Sequence, residues 1–145
     1  MLIGYDERYL SACADIYLKT FRAEPFGYDW LTEDAALRYF ADTARCPGFL
    51  GYILLADGRP EGACLGRADG YSRGVLYEIK EFFVEPGSQN KGLGREFLSD
   101  IEKDLTNRGV SCITLLTQRG IRAHGFYLRN GFAESAGAVV MAKAL

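Results

Sequence analysis

A glycine-bearing hexapeptide, Gln89-Asn90-Lys91-Gly92-Leu93-Gly94, limits the architectures open to this chain. It follows an apolar run, Val75–Val84, closed by Glu85-Pro86-Gly87. It leads straight into a stretch with Leu93, Phe97, Leu98, Ile101 and Leu105 at helical spacing. A strand that passes through a glycine loop into a helix presents unpaired N–H groups and the positive end of a helix dipole, which suits a phosphate. Gly92 and Gly94 remove side chains where a pyrophosphate would touch the main chain, and Lys91 and Arg95 add charge at its edge. An ordinary glycine-rich turn would fit the spacing as well. Two other phosphate motifs are excluded. The string GxxxxGK[ST] is absent. The dinucleotide fingerprint fails because Phe97 stands where a third glycine is needed and no acid ends the next strand.

The flanking chain supplies the other elements. Leu2–Tyr5 reads as a short strand. Asp6 opens a helical stretch with Leu10, Cys13, Ala14, Tyr17, Leu18 and Phe21 on one side. Thr32 is an N-cap before Glu33 and Asp34, and that helix carries Ala36, Leu37, Phe40 and Ala44 up to Pro47-Gly48. Phe49–Ala56, Glu61–Asp69 and Val75–Val84 read as an antiparallel meander, joined by Asp57-Gly58 and by a turn at Gly70–Gly74. Val110–Thr117 is a buried strand, 122–129 a short helix ended by Asn130-Gly131, and the tail is expected to give one or two further strands. The expected fold is α/β (α+β), a mixed, mostly antiparallel sheet of six to seven strands flanked by about four helices, with residues 1–145 as one domain.

Composition narrows function. The chain has 17 Lys+Arg, 19 Asp+Glu and 48% hydrophobic residues. That argues against disorder and against a polybasic nucleic-acid binder. Glycine, at 17 of 145 residues, is about 12% against a usual ~7%. The N-terminus lacks a basic, apolar leader, no run reaches the ~20 apolar residues of a membrane span, and no metal is expected from one His and four Cys without CxxC spacing. A cytoplasmic protein with reduced cysteines is expected, with Cys64 and Cys112 in the core.

Gln89 to Gly94 fits every fixed position of the Q/R-x-x-G-x-G/A signature. Ala123, Phe126-Tyr127 and Gly131-Phe132 fit a second block about 30 residues further on. With these two blocks the chain resembles the GCN5-related N-acetyltransferase (GNAT) family, which uses acetyl-CoA, and the likeness in element order covers nearly the whole chain. The resemblance implies that the amides of residues 90–95, with Gln89, hold the CoA pyrophosphate, and that the main chain of Phe82, Phe83 and Val84 pairs with the pantetheine arm where two strands splay. It also implies that Tyr127 is the general acid near the thioester sulfur. Gly120 departs from the pattern, since many members have Asn there; Thr117, Gln118 or the backbone would substitute.

An alkylamine, with a pKa near ~10.4, must lose a proton before it attacks. Glu78 and Glu81, on the strand beside the cofactor, are the candidate bases. Three apart, they fall on opposite faces unless a bulge intervenes; Glu81 is favoured because the splay near Val84 should expose it. His124 reads as a surface or cofactor-edge residue. In the loop 24–30, Glu24, Tyr28, Asp29 and Trp30, with Phe26, offer carboxylates and aromatic faces to a cationic acceptor. The expected function is acetyl transfer to a primary amine of a small molecule, polyamine-, amino-sugar- or aminoglycoside-like, in a ternary complex. A protein or peptide N-acetyltransferase and a non-catalytic CoA-binding module are the alternatives. Val139–Met141 would serve a homodimer or the core.

Overall fold

The computed structural model describes residues 1–72 and 74–145. The elements are β1 (Leu2–Gly4), α1 (Leu10–Arg22), α2 (Glu33–Ala44), β2 (Phe49–Ala56), β3 (Arg59–Tyr71), β4 (Gly74–Val84), α3 (Leu93–Asn107), β5 (Val110–Leu115) and α4 (Arg122–Arg129). Short 3-10 turns cover Glu7–Tyr9 and Pro86–Ser88. One sheet runs in the order β1-β2-β3-β4-β5. Its first four strands are antiparallel, and β5 is parallel to β4.

Local chemistry explains most of these limits. Thr32 Oγ1 accepts the Ala35 N–H at 3.2 Å and starts α2. Asp57 and Gly58, both at positive φ, turn β2 into β3. The turn expected at Gly70–Gly74 includes Arg73, which lies outside the described residues; pairing on either side reaches Tyr71 opposite Gly74.

The two faces of the sheet bury separate cores. α1 and α2 cover one with Ile16, Leu18, Ala36 and Phe40, against Ile53, Leu55, Ala63, Leu65 and Phe83. α3 covers the other with Phe97, Leu98, Ile101 and Leu105, against Tyr52, Leu54, Cys64, Tyr77, Ile79 and Val84. On β4 the α3 face holds Tyr77 and Ile79 and then, with the parity switched, Phe82 and Val84. The switch is a bulge. Leu65 pairs with Glu81 and Gly66 with Ile79, which leaves Lys80 as the extra residue.

Three expectations are corrected. Among the described residues the sheet has five strands, not six to seven: no strand follows α4, and Val139, Val140 and Met141 are 81%, 74% and 88% exposed, so they are not core. Three consecutive apolar residues have no period-2 pattern that commits one face to a core. β5 stops at Leu115, and Leu116 and Thr117 lie beyond it, exposed. Cys112 is exposed, because β5 is an edge strand with β4 as its one neighbour; Cys64 is buried as expected.

Candidate active site

β4 and β5 pair from Val75↔Val110 to Ile79↔Leu115 and no further. β4 continues five residues past the last pair, so Lys80 to Val84 border a gap on the β5 side. Beyond the gap the chain turns through Pro86–Ser88 into the glycine loop. Gln89 Nε2 donates to the Val84 carbonyl at 3.0 Å and ties the loop to the strand end. Asn90 and Gly92 both have positive φ, 65° and 84°. Gly92 is the N-cap of α3, and its carbonyl accepts the N–H groups of Arg95 and Glu96. Among the described residues no acceptor takes the N–H groups of Asn90, Lys91, Gly92, Leu93 or Gly94. Five N–H groups without a protein acceptor around two left-handed residues are an arrangement suited to an anion. Lys91 and Arg95 stand exposed at its rim. Arg122, at the start of α4, donates to Asn90 Oδ1 and joins the loop to the second sequence block.

The bulge decides where the two candidate bases go. With Lys80 inserted, Glu81 leaves β4 on the face of Phe83, toward α1 and α2. Alternation from Tyr77 and Ile79 puts Glu78 on that same face. Their surroundings separate them. Glu78 is ion-paired with Lys80 at 2.8 Å near solvent. Glu81 is half-buried, and its Oε1 accepts from Tyr39 Oη at 3.0 Å and from Tyr17 Oη at 3.4 Å. Burial raises its pKa to about 7, against the two phenol hydrogen bonds, which lower it.

Tyr127, on α4, is 9% exposed and packs edge-on against Phe82, Phe126 and Phe132, with ring centroids 6.3, 5.3 and 5.3 Å apart. It approaches β4 from the α3 side, while Glu81 projects from the other. Its hydroxyl has no hydrogen-bond partner among the described residues. Burial first, then Cys64 and Glu81, push the phenol well above the ordinary tyrosine range, so at neutral pH it keeps its proton. His124 is engaged elsewhere: Nδ1 accepts from the Gly120 N–H at 3.2 Å and Nε2 lies 2.8 Å from Glu134, which also binds Arg119. Gly120, at φ 85°, makes the bend that allows this. Cys13 and Cys64 are buried, and burial pushes both thiols up to about 12.

The loop at 24–30 is joined to Glu81 by a file of rings. Tyr17 and Phe21 are 4.6 Å apart, Phe21 and Tyr28 stack at 6.3 Å, and Tyr28 and Trp30 are 5.3 Å apart. Phe26 fills the angle between Phe21 and Tyr28. Trp30 is 70% exposed at the outer end, and Glu24 and Asp29 are exposed beside it.

The family model for the acetyltransferase (GNAT) family matches residues 11–132. The chain belongs to this family. Its GNAT fold accounts for the split between β4 and β5 and for the glycine loop behind it. Serotonin N-acetyltransferase 2, chloroplastic, of Oryza sativa subsp. japonica is 35% identical over 82 residues, 57% of this chain and 38% of that protein. The chain spans about two fifths of the length of the curated relatives it matches. A Trypanosoma brucei acetyltransferase superposes with a TM-score of 0.72 at 20% identity, over 100% of this chain and 99% of the other. An aminoglycoside N-acetyltransferase solved in complex with CoA gives 0.75 at 15% identity, over 100% and 95%. At such identities the structures share the fold.

Tyr17 and Tyr39 are the site residues that sequence reasoning missed. Tyr17 is legible as part of the apolar stripe of α1. Tyr39 carries no signal beyond its place before Phe40. Their meeting at Glu81 depends on how α1 and α2 lie across β4.

Proposed function

We propose that this chain is an acetyl-CoA-dependent N-acetyltransferase that acts on a primary amine of a small molecule by direct attack in a ternary complex. The observation that carries the reading is the pair Glu81 and Tyr127, one on each side of β4 where it parts from β5. Glu81 has a pKa of about 7 and so exchanges a proton near neutrality, as a general base must. Tyr127 keeps its proton, as a general acid must. The free amides of residues 90–94 and the open β4 edge at Phe82–Val84 fit the pyrophosphate and the pantetheine arm. Bound acetyl-CoA supplies an acetyl thioester. Glu81 takes the proton of the ammonium and Tyr127 holds one for the departing sulfur. Glu78 is already ion-paired with Lys80, which leaves Glu81 as the base. The buried thiols of Cys13 and Cys64 favour direct transfer over an acetyl-cysteine.

The file Tyr17–Phe21–Tyr28–Trp30 favours, among small amines, one with an aromatic or other flat apolar body. The likeness to a protein named serotonin N-acetyltransferase supports that choice. Glu24 and Asp29 at the outer end suit a second positive charge, as in a polyamine or aminoglycoside.

The test has two stages. Acetyl-CoA at 100 times its dissociation constant should stabilise the fold by about 2.7 kcal/mol, several degrees of melting temperature. A panel of tryptamine, serotonin, spermidine and an aminoglycoside, read by thiol release, then identifies the acceptor. Tyr127→Phe should keep the thermal shift and lose roughly 10²–10⁴ in kcat. No shift with acetyl-CoA, or equal turnover in Tyr127→Phe, overturns the corresponding assignment.

A further inference from the structure

The carboxylate of Glu81 is held by two tyrosines from two different helices, and both hydroxyls reach the same oxygen. Tyr39 Oη lies 3.0 Å and Tyr17 Oη 3.4 Å from Oε1; Oε2 has no partner among the described residues. We propose that Tyr39 and Tyr17 are positioning residues for proton transfer: together they fix the Glu81 carboxylate by Oε1 and reserve Oε2 for the proton of the acceptor amine. The inference rests on the reading of Glu81 as the base.

The two phenols are themselves held in place. Tyr17 packs against Phe21, Phe40 and Phe83 with centroids 4.6, 5.1 and 5.4 Å away. Tyr39 leans on Phe40 at 5.9 Å and on Tyr17 at 6.4 Å. The rings sit where α1 and α2 cross the bulged part of β4, so the hydroxyls are aimed before any acceptor arrives, which is the condition for an effective base. A glutamate has two freely turning bonds between Cβ and its carboxyl group. Without the donors it would spread over several rotamers, and either oxygen could face the acceptor.

The pair also sets the charge state. The groups that face Glu81 are Tyr17 from α1 and Tyr39 from α2, while Cys64 from β3 and Tyr127 from α4 lie on the other face of the sheet and act on it only through their charge. None of these is a cation, and the nearby Lys80 is paired with Glu78. Burial favours the protonated carboxyl. The phenol hydrogen bonds oppose it.

The experiment follows the side-chain carboxyl resonance of Glu81 by NMR in protein labelled with 13C-glutamate, with Glu81→Gln used to assign the signal. Wild type should titrate near pH 7. Tyr39→Phe and Tyr17→Phe should each move the midpoint upward, the double variant furthest. Their melting temperatures should stay within a few degrees of wild type, since each change removes one hydroxyl and keeps the ring. With the best amine of the panel, the acidic limb of kcat/KM should move upward in step. An unchanged midpoint in the double variant overturns the positioning role and leaves the base assignment standing. Full turnover by Glu81→Gln overturns the base assignment, whatever the tyrosine variants do to the titration. If the double variant melts much lower, Tyr39→Phe alone decides, because Tyr39 is 39% exposed and its hydroxyl is not part of the core.

Discussion

Glu81 is half-buried and bonded to two phenols with no cation among its partners, and its carboxyl goes from an ordinary 4.5 to about 7. Between those two values the folded chain binds more protons than the unfolded chain, so stability falls as pH rises through that window. The penalty is complete above pH 7 and absent below about 4.5. Its upper limit is about 3 kcal/mol. Glu81→Gln is neutral at every pH and nearly the same shape. It should therefore melt several degrees above wild type at pH 8 and close to it at pH 5, while acetyl transfer falls roughly 10²–10⁴-fold. Melting curves at the two pH values read the first effect and thiol release the second; parallel curves for the two proteins would remove the buried-carboxylate account. Glu81 was a candidate in the sequence because it sits three residues before the end of a strand that meets a phosphate-type loop. The splay near Val84 does not open Glu81 to solvent as expected: both carboxylates are half-buried, and they differ in partners, Lys80 for Glu78 and two phenols for Glu81. The tyrosines that hold it were not legible, since no local spacing relates residues 17 and 39 to residue 81.

At the scale of elements, two glycines in one loop have different jobs. Gly92 is left-handed, at φ 84°, with nothing within 4 Å of an added Cβ. Gly94 has no such φ, and an added Cβ would meet Phe126 at 3.5 Å, an ordinary contact. Gly94→Ala should therefore be accepted with a small change in melting temperature and a retained acetyl-CoA shift. Gly92→Ala puts a side chain on a left-handed residue at a cost of roughly 1–2 kcal/mol. It also disturbs the amide cradle, so it should lose stability and most of the ligand shift together. Equal behaviour of the two variants would mean that the cradle is not the anion site. The difference between them was already written in the signature, where the second glycine alternates with alanine and the first does not. The bulge at Lys80 was readable as a condition: Glu78 and Glu81 share a face if one residue is extra. Which residue is extra depends on the register with β3. There Gly66 lies under Tyr77, whose ring an added Cβ at that position would meet at 2.4 Å.

Across the whole molecule, the fold is asymmetric. Helices cover both faces of the strands β1 to β4, while β5 closes the sheet with an outer edge that pairs with nothing among the described residues. The four α-helices and the meander β2 to β4 follow from periodicity and turn chemistry, and the place of β5 beside β4 from the family resemblance. The tail did not follow, because its apolar residues have no period and their partner is not set by neighbours in sequence. Glu134 is the last tail residue held by side chains, through Arg119 and His124. Residues 138–145 are all exposed. Within a single chain, a variant truncated after Ala138 should therefore keep its melting temperature to within about a degree at low micromolar concentration, because exposed residues without side-chain partners contribute within about 0.5 kcal/mol. The homodimer expected from Val139–Met141 makes a contrary prediction. If the apolar tail of one copy lies along the open edge of β5 in another, wild type should melt higher as its concentration rises, and the truncated chain should not. Melting curves of both proteins over a hundredfold range of concentration separate the two. A flat dependence for wild type assigns the tail no part in assembly. A rising one, abolished by truncation, assigns it the outer edge of the sheet.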